Sequence, residues 1–164
     1  MKKIAVVMGS PSDLPVVEQA LEVLRTYGVP FEVRVLSAHR TPHAAQAFAT
    51  TARDEGFGVI IAVAGKAAHL AGAIATNTTL PVVGLPVRAS ELDGLDALLS
   101  TVQMPSGIPV ATVAINGGTN AALLAVQILA VQEAGLAEKL RQAREAVTRN
   151  MSEKDIEIRR KYSN

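Results

Sequence analysis

His39 and Arg40 are the residues of this sequence best placed to do chemistry. They follow an apolar run that ends at Leu36, and they precede Thr41-Pro42, which is typical of a helix N-cap with proline at the first helical position. Histidine transfers protons near neutral pH, and arginine binds phosphate or carboxylate through two parallel hydrogen bonds. The alternative is a histidine bonded only to the backbone beside an ordinary surface arginine. Their place between a strand and a helix favours a functional role.

The segment Gly9–Asp13 has the composition of a phosphate-binding loop. A glycine lets the backbone approach a ligand, Ser10 and Ser12 supply hydroxyl groups, and the following helix presents free N–H groups to an anion. The dinucleotide motif G-x-G-x-x-G and the Walker loop are both absent. An ordinary helix cap by Ser12 or Asp13 explains these residues equally well, and Asp13 can alternatively bond a ribose hydroxyl.

The other two histidines are less informative. His69 lies near the start of a predicted helix, where a structural role and a site role are equally typical, and His43 is expected on the surface. Three histidines without matching carboxylates predict no metal site. No Ser-His-Asp arrangement or Gly-x-Ser-x-Gly motif is present. The segment Gln103–Pro109 is by default a connector, although Met104 and the prolines could wall a flat heteroaromatic ligand.

Short apolar runs alternate with segments of helical periodicity, which predicts a parallel sheet with helices on both faces. The predicted strands are 4–8, 31–36, 59–64, 82–85 and 110–115, and the predicted helices are 14–27, 42–55, 67–77 and 92–102. Ligands bind such sheets beyond the carboxyl ends of the strands. We therefore expect the loops that carry Ser10, His39 and His69 to meet at one edge, joined by the segment 116–120.

Two further helices are predicted after the last strand. The segment 119–133 is apolar nearly all round, so it lies either at the centre of the domain or between subunits, and the second is favoured for a domain of this size. The charged segment that follows is expected to be a solvated helix or an arm onto a neighbour. The whole chain, residues 1–164, is interpreted as one α/β domain with residues 135–164 as a helical C-terminal extension.

The composition excludes several classes of protein. Of the 164 residues, 49% are hydrophobic and 19% are charged, which is typical of a globular chain, and a net charge of +1 argues against a nucleic-acid partner. No apolar stretch is long enough to span a membrane, and the short run after Met1 predicts a first strand rather than a signal peptide. The absence of cysteine excludes disulfides and is compatible with a reducing cytoplasm, where we expect the protein to work.

Taken together, these segments resemble 5-(carboxyamino)imidazole ribonucleotide mutase, the family also known as the catalytic subunit of class I phosphoribosylaminoimidazole carboxylase. The resemblance runs from the first strand to the end of the apolar helix. The matching pieces are Met8-Gly9-Ser10 with Ser12-Asp13, Ser37-Ala38-His39-Arg40-Thr41-Pro42, Ala67-Ala68-His69-Leu70, Leu80-Pro81-Val82 with Gly84, Gln103-Met104-Pro105, and Asn120-Ala121-Ala122-Leu123-Leu124-Ala125.

The resemblance implies a three-layer flavodoxin-like fold, a homo-octamer and an isomerase of purine biosynthesis without a cofactor. The reaction it implies moves a carboxylate from the exocyclic nitrogen of an imidazole ribonucleotide to ring carbon four, through loss and recapture of CO2. His39 would be the proton-transfer residue, and Arg40 with the loop of Ser10 and Asp13 would hold phosphate and ribose. The substrate-binding residues would be Ser10, Ser12, Asp13, Ser37, Ala38, Arg40, Gly65, Ala68, His69 and Leu70.

Two positions depart from the family pattern, which usually has glycine at Lys66 and proline at Ala71. Lys66 would place a cation near the carboxylate, unless its side chain points to solvent. Two other functions stay open. A related group carboxylates aminoimidazole ribonucleotide directly with CO2, but it tends to carry lysine where this chain has Arg40. A non-catalytic nucleotide-binding module is the other, and it leaves His39 without a task.

Overall fold

Five parallel strands form a single sheet in the order β2-β1-β3-β4-β5 in the computed structural model, which describes residues 1–163. The direction of winding reverses between β1 and β3, and this order is that of flavodoxin-like folds. It confirms the predicted fold class. The strands are β1 (Lys3–Met8), β2 (Phe31–Val35), β3 (Phe57–Gly65), β4 (Val82–Val87) and β5 (Ala111–Thr112).

Helices cover both faces of the sheet and make three layers. They are α1 (Leu14–Tyr27), α2 (Pro42–Thr51), α3 (Leu70–Ala75), α4 (Leu95–Val102), α5 (Gly118–Ala130) and α6 (Ala134–Tyr162). Alternate residues of β1 serve the two faces: Ile4 and Val6 pack under α1 and α5, whereas Ala5 and Val7 pack under α2 and α3. Fully burying an aliphatic side chain of this size stabilises the fold by about 1.5–3 kcal/mol.

The two edge strands, β2 and β5, are shorter than the apolar runs predict. In β2, Arg34 and Val35 are exposed because no strand lies beyond them. β5 spans only Ala111–Thr112 of the predicted 110–115, and it pairs with β4 through two residues before the chain turns away. Strands at an edge lose one row of partners, so their sequence pattern overestimates their length.

Helix boundaries differ most beside the carboxyl edge of the sheet. The helix predicted over 67–77 begins only at Leu70, because Lys66 has a positive φ of 55° and the N–H of His69 bonds the carbonyl of Ala67 at 2.8 Å. The helix predicted over 92–102 begins at Leu95 behind a 3-10 turn. Residues 67–69 and 92–94, which were predicted to be helical, therefore belong to the loops before α3 and α4. The helix predicted over 42–55 ends at Thr51.

The apolar helix α5 packs on one side against α1 and the sheet through Ala121, Ala125 and Val126, so this side is central to the domain. Its other side carries the half-buried Leu123 and Leu124, which border a cavity of about 650 Å³ under α6. α6 is exposed from Arg141 onward. The last residue of the predicted extension, Asn164, lies outside the described residues. Among residues 1–163, no helix has both the length and the apolar character needed to cross a bilayer.

Candidate active site

A cleft of about 640 Å³ opens where the carboxyl ends of the strands meet, and four loops line it. The loops follow β1, β2, β3 and β4, so the cleft lies at the point where the winding of the sheet reverses. All but one of the predicted site residues line it: Ser10, Ser12, Asp13, Ser37, Ala38, His39, Arg40, Gly65, His69 and Leu70.

The loop after β1 is held by a reciprocal cap. The Ser12 N–H donates to Ser10 Oγ at 3.3 Å, and the Ser10 N–H donates to Asp13 Oδ2 at 3.2 Å. Ser10 is therefore the capping residue of the short turn before α1. Asp13, one of the two predicted caps, stands at the N-cap position of α1 but makes no side-chain hydrogen bond to that helix. The cap fixes the loop, and the Ser10 and Ser12 hydroxyl groups line the cleft.

Asp13 is a carboxylate buried at this wall, with 6% of its surface exposed. Burial raises the pKa of Asp13 above its usual value of 3.8, while the N–H of Ser10 and the charge of Arg40 lower it less. The folded state thus holds a charged carboxylate that water would solvate better. Such a group is stabilised once a ligand offers it hydroxyl donors.

The loop after β2 forms a tight turn that aims Arg40 across the cleft edge. Thr41 Oγ1 accepts from the Ser37 N–H at 2.9 Å, and the Arg40 N–H donates to Ser37 Oγ at 3.1 Å. Arg40 Nη2 then donates to the carbonyl of Gly9 at 2.7 Å, which ties this loop to the loop after β1. Because a guanidinium has five N–H donors, others stay available for an anion.

His39 and His69 form a hydrogen-bonded pair inside the cleft. His39 Nε2 lies 2.9 Å from His69 Nδ1, and the two rings meet edge to face with centroids 5.0 Å apart. One nitrogen of the contact must carry the proton and the other must accept it. His69, for which the sequence left a structural role open, is thereby placed beside the predicted proton-transfer residue.

The segment Val87–Ser90 forms the fourth wall of the cleft and was not predicted from the sequence. It follows β4, so the rule that ligands bind beyond the strand ends already pointed to it. The Arg88 N–H donates to Asn116 Oδ1 at 2.9 Å, and Asn116 itself has a positive φ of 57°. The segment 116–120 therefore reaches the expected edge through Asn116, but it supports the wall and does not line the cleft.

Lys66 faces this fourth wall from the loop after β3. Its Nζ lies 3.5 Å from Glu91 Oε2, and both side chains are largely exposed. Hydrogen bonds from the Ser90 side chain and the Glu91 backbone, together with the Lys66 ammonium, lower the pKa of Glu91. The unusual lysine thus lies at the cleft and has an exposed carboxylate partner.

Three residues considered in the sequence lie elsewhere. Ala68 is buried and does not line the cleft, and its carbonyl accepts from Thr101 Oγ1 at 3.4 Å. Met104 packs against α3, where its sulfur lies 3.1 Å from the position of a Cβ on Gly72. His43 is exposed outside the cleft, as expected.

In the described part of the chain, no three histidine or acidic side chains are grouped so that they could hold a metal ion.

We predict that Asp13→Asn raises the free energy of unfolding at pH 7 by up to about 1 kcal/mol. The amide oxygen still accepts from Ser10, but no charge is buried. Since the folded pKa is raised, the destabilising charge is present above that pKa and disappears as the pH falls towards 3.8. Urea unfolding at pH 7 and pH 4 therefore shows a difference that shrinks at pH 4.

The matched control is Asp155→Asn on exposed α6, expected within about 0.5 kcal/mol of wild type at both pH values. A loss of stability in Asp13→Asn at pH 7 contradicts the interpretation, because the charged bond to Ser10 would then outweigh the cost of burial.

Known proteins resemble this chain over most of its length. The family model for AIR carboxylase matches residues 3–150. N5-carboxyaminoimidazole ribonucleotide mutase of Pyrococcus horikoshii is 52% identical over 151 residues, which cover 92% of this chain and 85% of that protein. Phosphoribosylaminoimidazole carboxylase of Saccharomyces cerevisiae is 55% identical over 139 residues, but these cover only 24% of that longer protein and 85% of this chain.

A solved structure agrees over the whole length. The crystal structure of PurE from Treponema denticola superposes with a TM-score of 0.81 at 27% identity and covers 98% of each chain. The match with the family model leaves out only the first two residues and the last part of α6. This chain belongs to the AIR carboxylase family.

Proposed function

We propose that this protein is an N5-carboxyaminoimidazole ribonucleotide mutase, an isomerase of purine biosynthesis that forms 4-carboxy-5-aminoimidazole ribonucleotide. The observation that carries the proposal is the His39–His69 pair in a cleft that Arg40 and two serine hydroxyls also line. Proteins with the mutase name are about half identical to this chain over most of its length, for example 52% in Pyrococcus horikoshii and 49% in Thermotoga maritima.

The phosphate and ribose are assigned to the side formed by the loops after β1 and β2. The remaining N–H donors of Arg40 bind the phosphate together with the Ser10 and Ser12 hydroxyls. Asp13 accepts a hydrogen bond from a ribose hydroxyl. This hydroxyl replaces the water that burial removes from the carboxylate. The imidazole ring then lies towards His39 and His69.

Two proton transfers complete the reaction. The carbamate nitrogen must gain a proton when CO2 leaves, and ring carbon four must lose a proton after it recaptures CO2. The net proton count is zero, so one group that gives a proton and takes it back serves both steps. Holding CO2 beside carbon four between the steps replaces a bimolecular encounter by a local one.

The histidine pair suits this double task. Because His39 Nε2 is bonded to His69, His39 Nδ1 is the nitrogen available to the substrate. His39 Nδ1 gives its proton to the carbamate and later takes the proton from carbon four, so His39 returns to its starting state. His69 holds the Nε2 side of the His39 ring through both steps. His39 is the catalytic residue, and His69 is a positioning residue that acts through it.

We predict that His39→Asn still binds the ribonucleotide but lowers kcat by about 10²–10⁴-fold, the usual contribution of a general acid-base group. His69→Asn lowers kcat less and leaves affinity nearly unchanged, because it acts only through His39. Titration calorimetry and steady-state rates separate the two effects. The matched control is the exposed His43→Asn, which keeps wild-type rates. Wild-type turnover in His39→Asn would rule out the assigned role.

We predict that the rate with the carbamate substrate does not depend on added bicarbonate, since the carboxyl group comes from the substrate itself. A direct carboxylase would instead consume aminoimidazole ribonucleotide with CO2. The measurement compares both substrates in buffer stripped of CO2 and in buffer with bicarbonate. Turnover only of aminoimidazole ribonucleotide with bicarbonate would favour the carboxylase. Inactivity with both, but tight binding, would favour a non-catalytic module.

We also propose that the protein works as a homo-octamer in the cytoplasm. A stripe of apolar side chains, Leu92, Leu95, Leu99 and Val102, is exposed on and before α4, and Val147 and Met151 are exposed on α6. Exposed apolar stripes of this kind are typical of surfaces that pack against another chain. The outer side of α5 and the cavity under α6 supply a second such surface.

We therefore expect light scattering after gel filtration to give eight times the chain mass of 17.2 kDa. No described residue of the chain covers the apolar stripe on α4, so the subunits associate to bury it. Leu99→Lys is expected to lower the mass, whereas the exposed Thr50→Lys on α2 serves as a control for an added charge. A wild-type mass of one chain would contradict the assembly.

A further inference from the structure

Lys66 is a lysine in a conformation that favours glycine, at the wall of the cleft. Its φ of 55° lies in the left-handed region, where a residue with a side chain is strained. The residue lines the cleft, and 70% of its side chain is exposed. A glycine at this position would avoid the strain. We therefore expect an interaction of the Lys66 side chain that compensates for it.

The cations of the cleft are distributed over different strands. Arg40 follows β2 and is fixed by the carbonyl of Gly9, on the side of the serine hydroxyls. Lys66 follows β3, two strands away, which corresponds to about 10 Å at the usual spacing. Its loop leads directly into His69, whose ring is bonded to His39. Lys66 therefore lies on the same loop as His69, three positions before it in the chain.

Arg88 is a weaker candidate than Lys66 for a cation that acts near the histidine pair. It follows β4 and pairs with Asp93 across 3.9 Å, one strand further from the histidines. Lys66 has only the exposed Glu91 as its ion-pair partner among the described residues. An exposed ion pair of this kind adds little stability, so another carboxylate can replace Glu91 at little cost.

We propose that the Lys66 ammonium binds the migrating carboxylate of the substrate and of the product, with Glu91 as its partner in the free enzyme. This inference rests on the proposed function, because it needs a ligand with one anion at Arg40 and a second anion near His39. The contact exists while the carboxyl group is charged and is absent at the CO2 stage. Lys66 therefore selects carboxylated over decarboxylated ribonucleotide.

The test is calorimetric binding of two ligands that differ only in the carboxylate, 4-carboxy-5-aminoimidazole ribonucleotide and 5-aminoimidazole ribonucleotide. Lys66→Met is expected to weaken the carboxylated ligand about tenfold, as for one charge-assisted hydrogen bond, and the other ligand by less than about twofold. Lys66→Arg keeps the preference. Glu91→Gln removes the competing carboxylate and tightens the carboxylated ligand.

Two further variants keep the test independent of folding and of net charge. Lys66→Gly relieves the strained backbone, so it should unfold at a higher temperature and still lose the preference. Lys2→Met makes the same change of charge at the amino end of β1, opposite the cleft, and should keep it.

Equal weakening of both ligands in Lys66→Met would overturn the inference, because Lys66 would then act on the phosphate. Unchanged binding of both ligands would overturn it as well, because the Lys66 side chain would then point to solvent and contact neither ligand. These outcomes leave the proposed function intact. A wild-type protein that binds neither ribonucleotide would instead overturn the proposed function, and this inference with it.

Discussion

The hydrogen bond between His39 and His69 is the interaction on which the site depends. It joins the loop after β2 to the loop after β3, although β1 lies between these strands in the sheet. The contact joins two ring nitrogens 2.9 Å apart, one of which carries the proton while the other accepts it. In the proposed mechanism, the substrate meets in His39 a group that is acid in one step and base in the next, and the parallel sheet holds it in place.

Strain and buried charge collect in the loops at the carboxyl edge of the sheet. Lys66, Leu92, Asp93 and Asn116 are the described non-glycine residues with positive φ, and all lie in the loops after β3, β4 and β5. Asp13 adds a carboxylate whose pKa burial raises. The two apolar cores beneath the loops supply the stability that tolerates these costs.

Much of the fold could be predicted because buried parallel strands are continuous apolar runs, as in β1 and β3. The loops that carry Ser10, His39 and His69 followed from the ends of those runs. The start of α3 could not be predicted, since the positive φ at Lys66 comes from tertiary context and not from the helical pattern of its neighbours. The contact between His39 and His69 could not be predicted from the sequence either, because the two residues are thirty positions apart in the chain. Arg88 could have been found by applying the strand-end rule to β4.

The central claim is that the carboxyl group moves from nitrogen to carbon inside one cleft. The most direct test uses substrate with ¹³C in the carbamate, turned over once in excess unlabelled bicarbonate with carbonic anhydrase. The account predicts that the product carboxylate keeps the ¹³C, because CO2 is recaptured faster than it leaves. A product carboxylate with the isotope composition of the bicarbonate would contradict it.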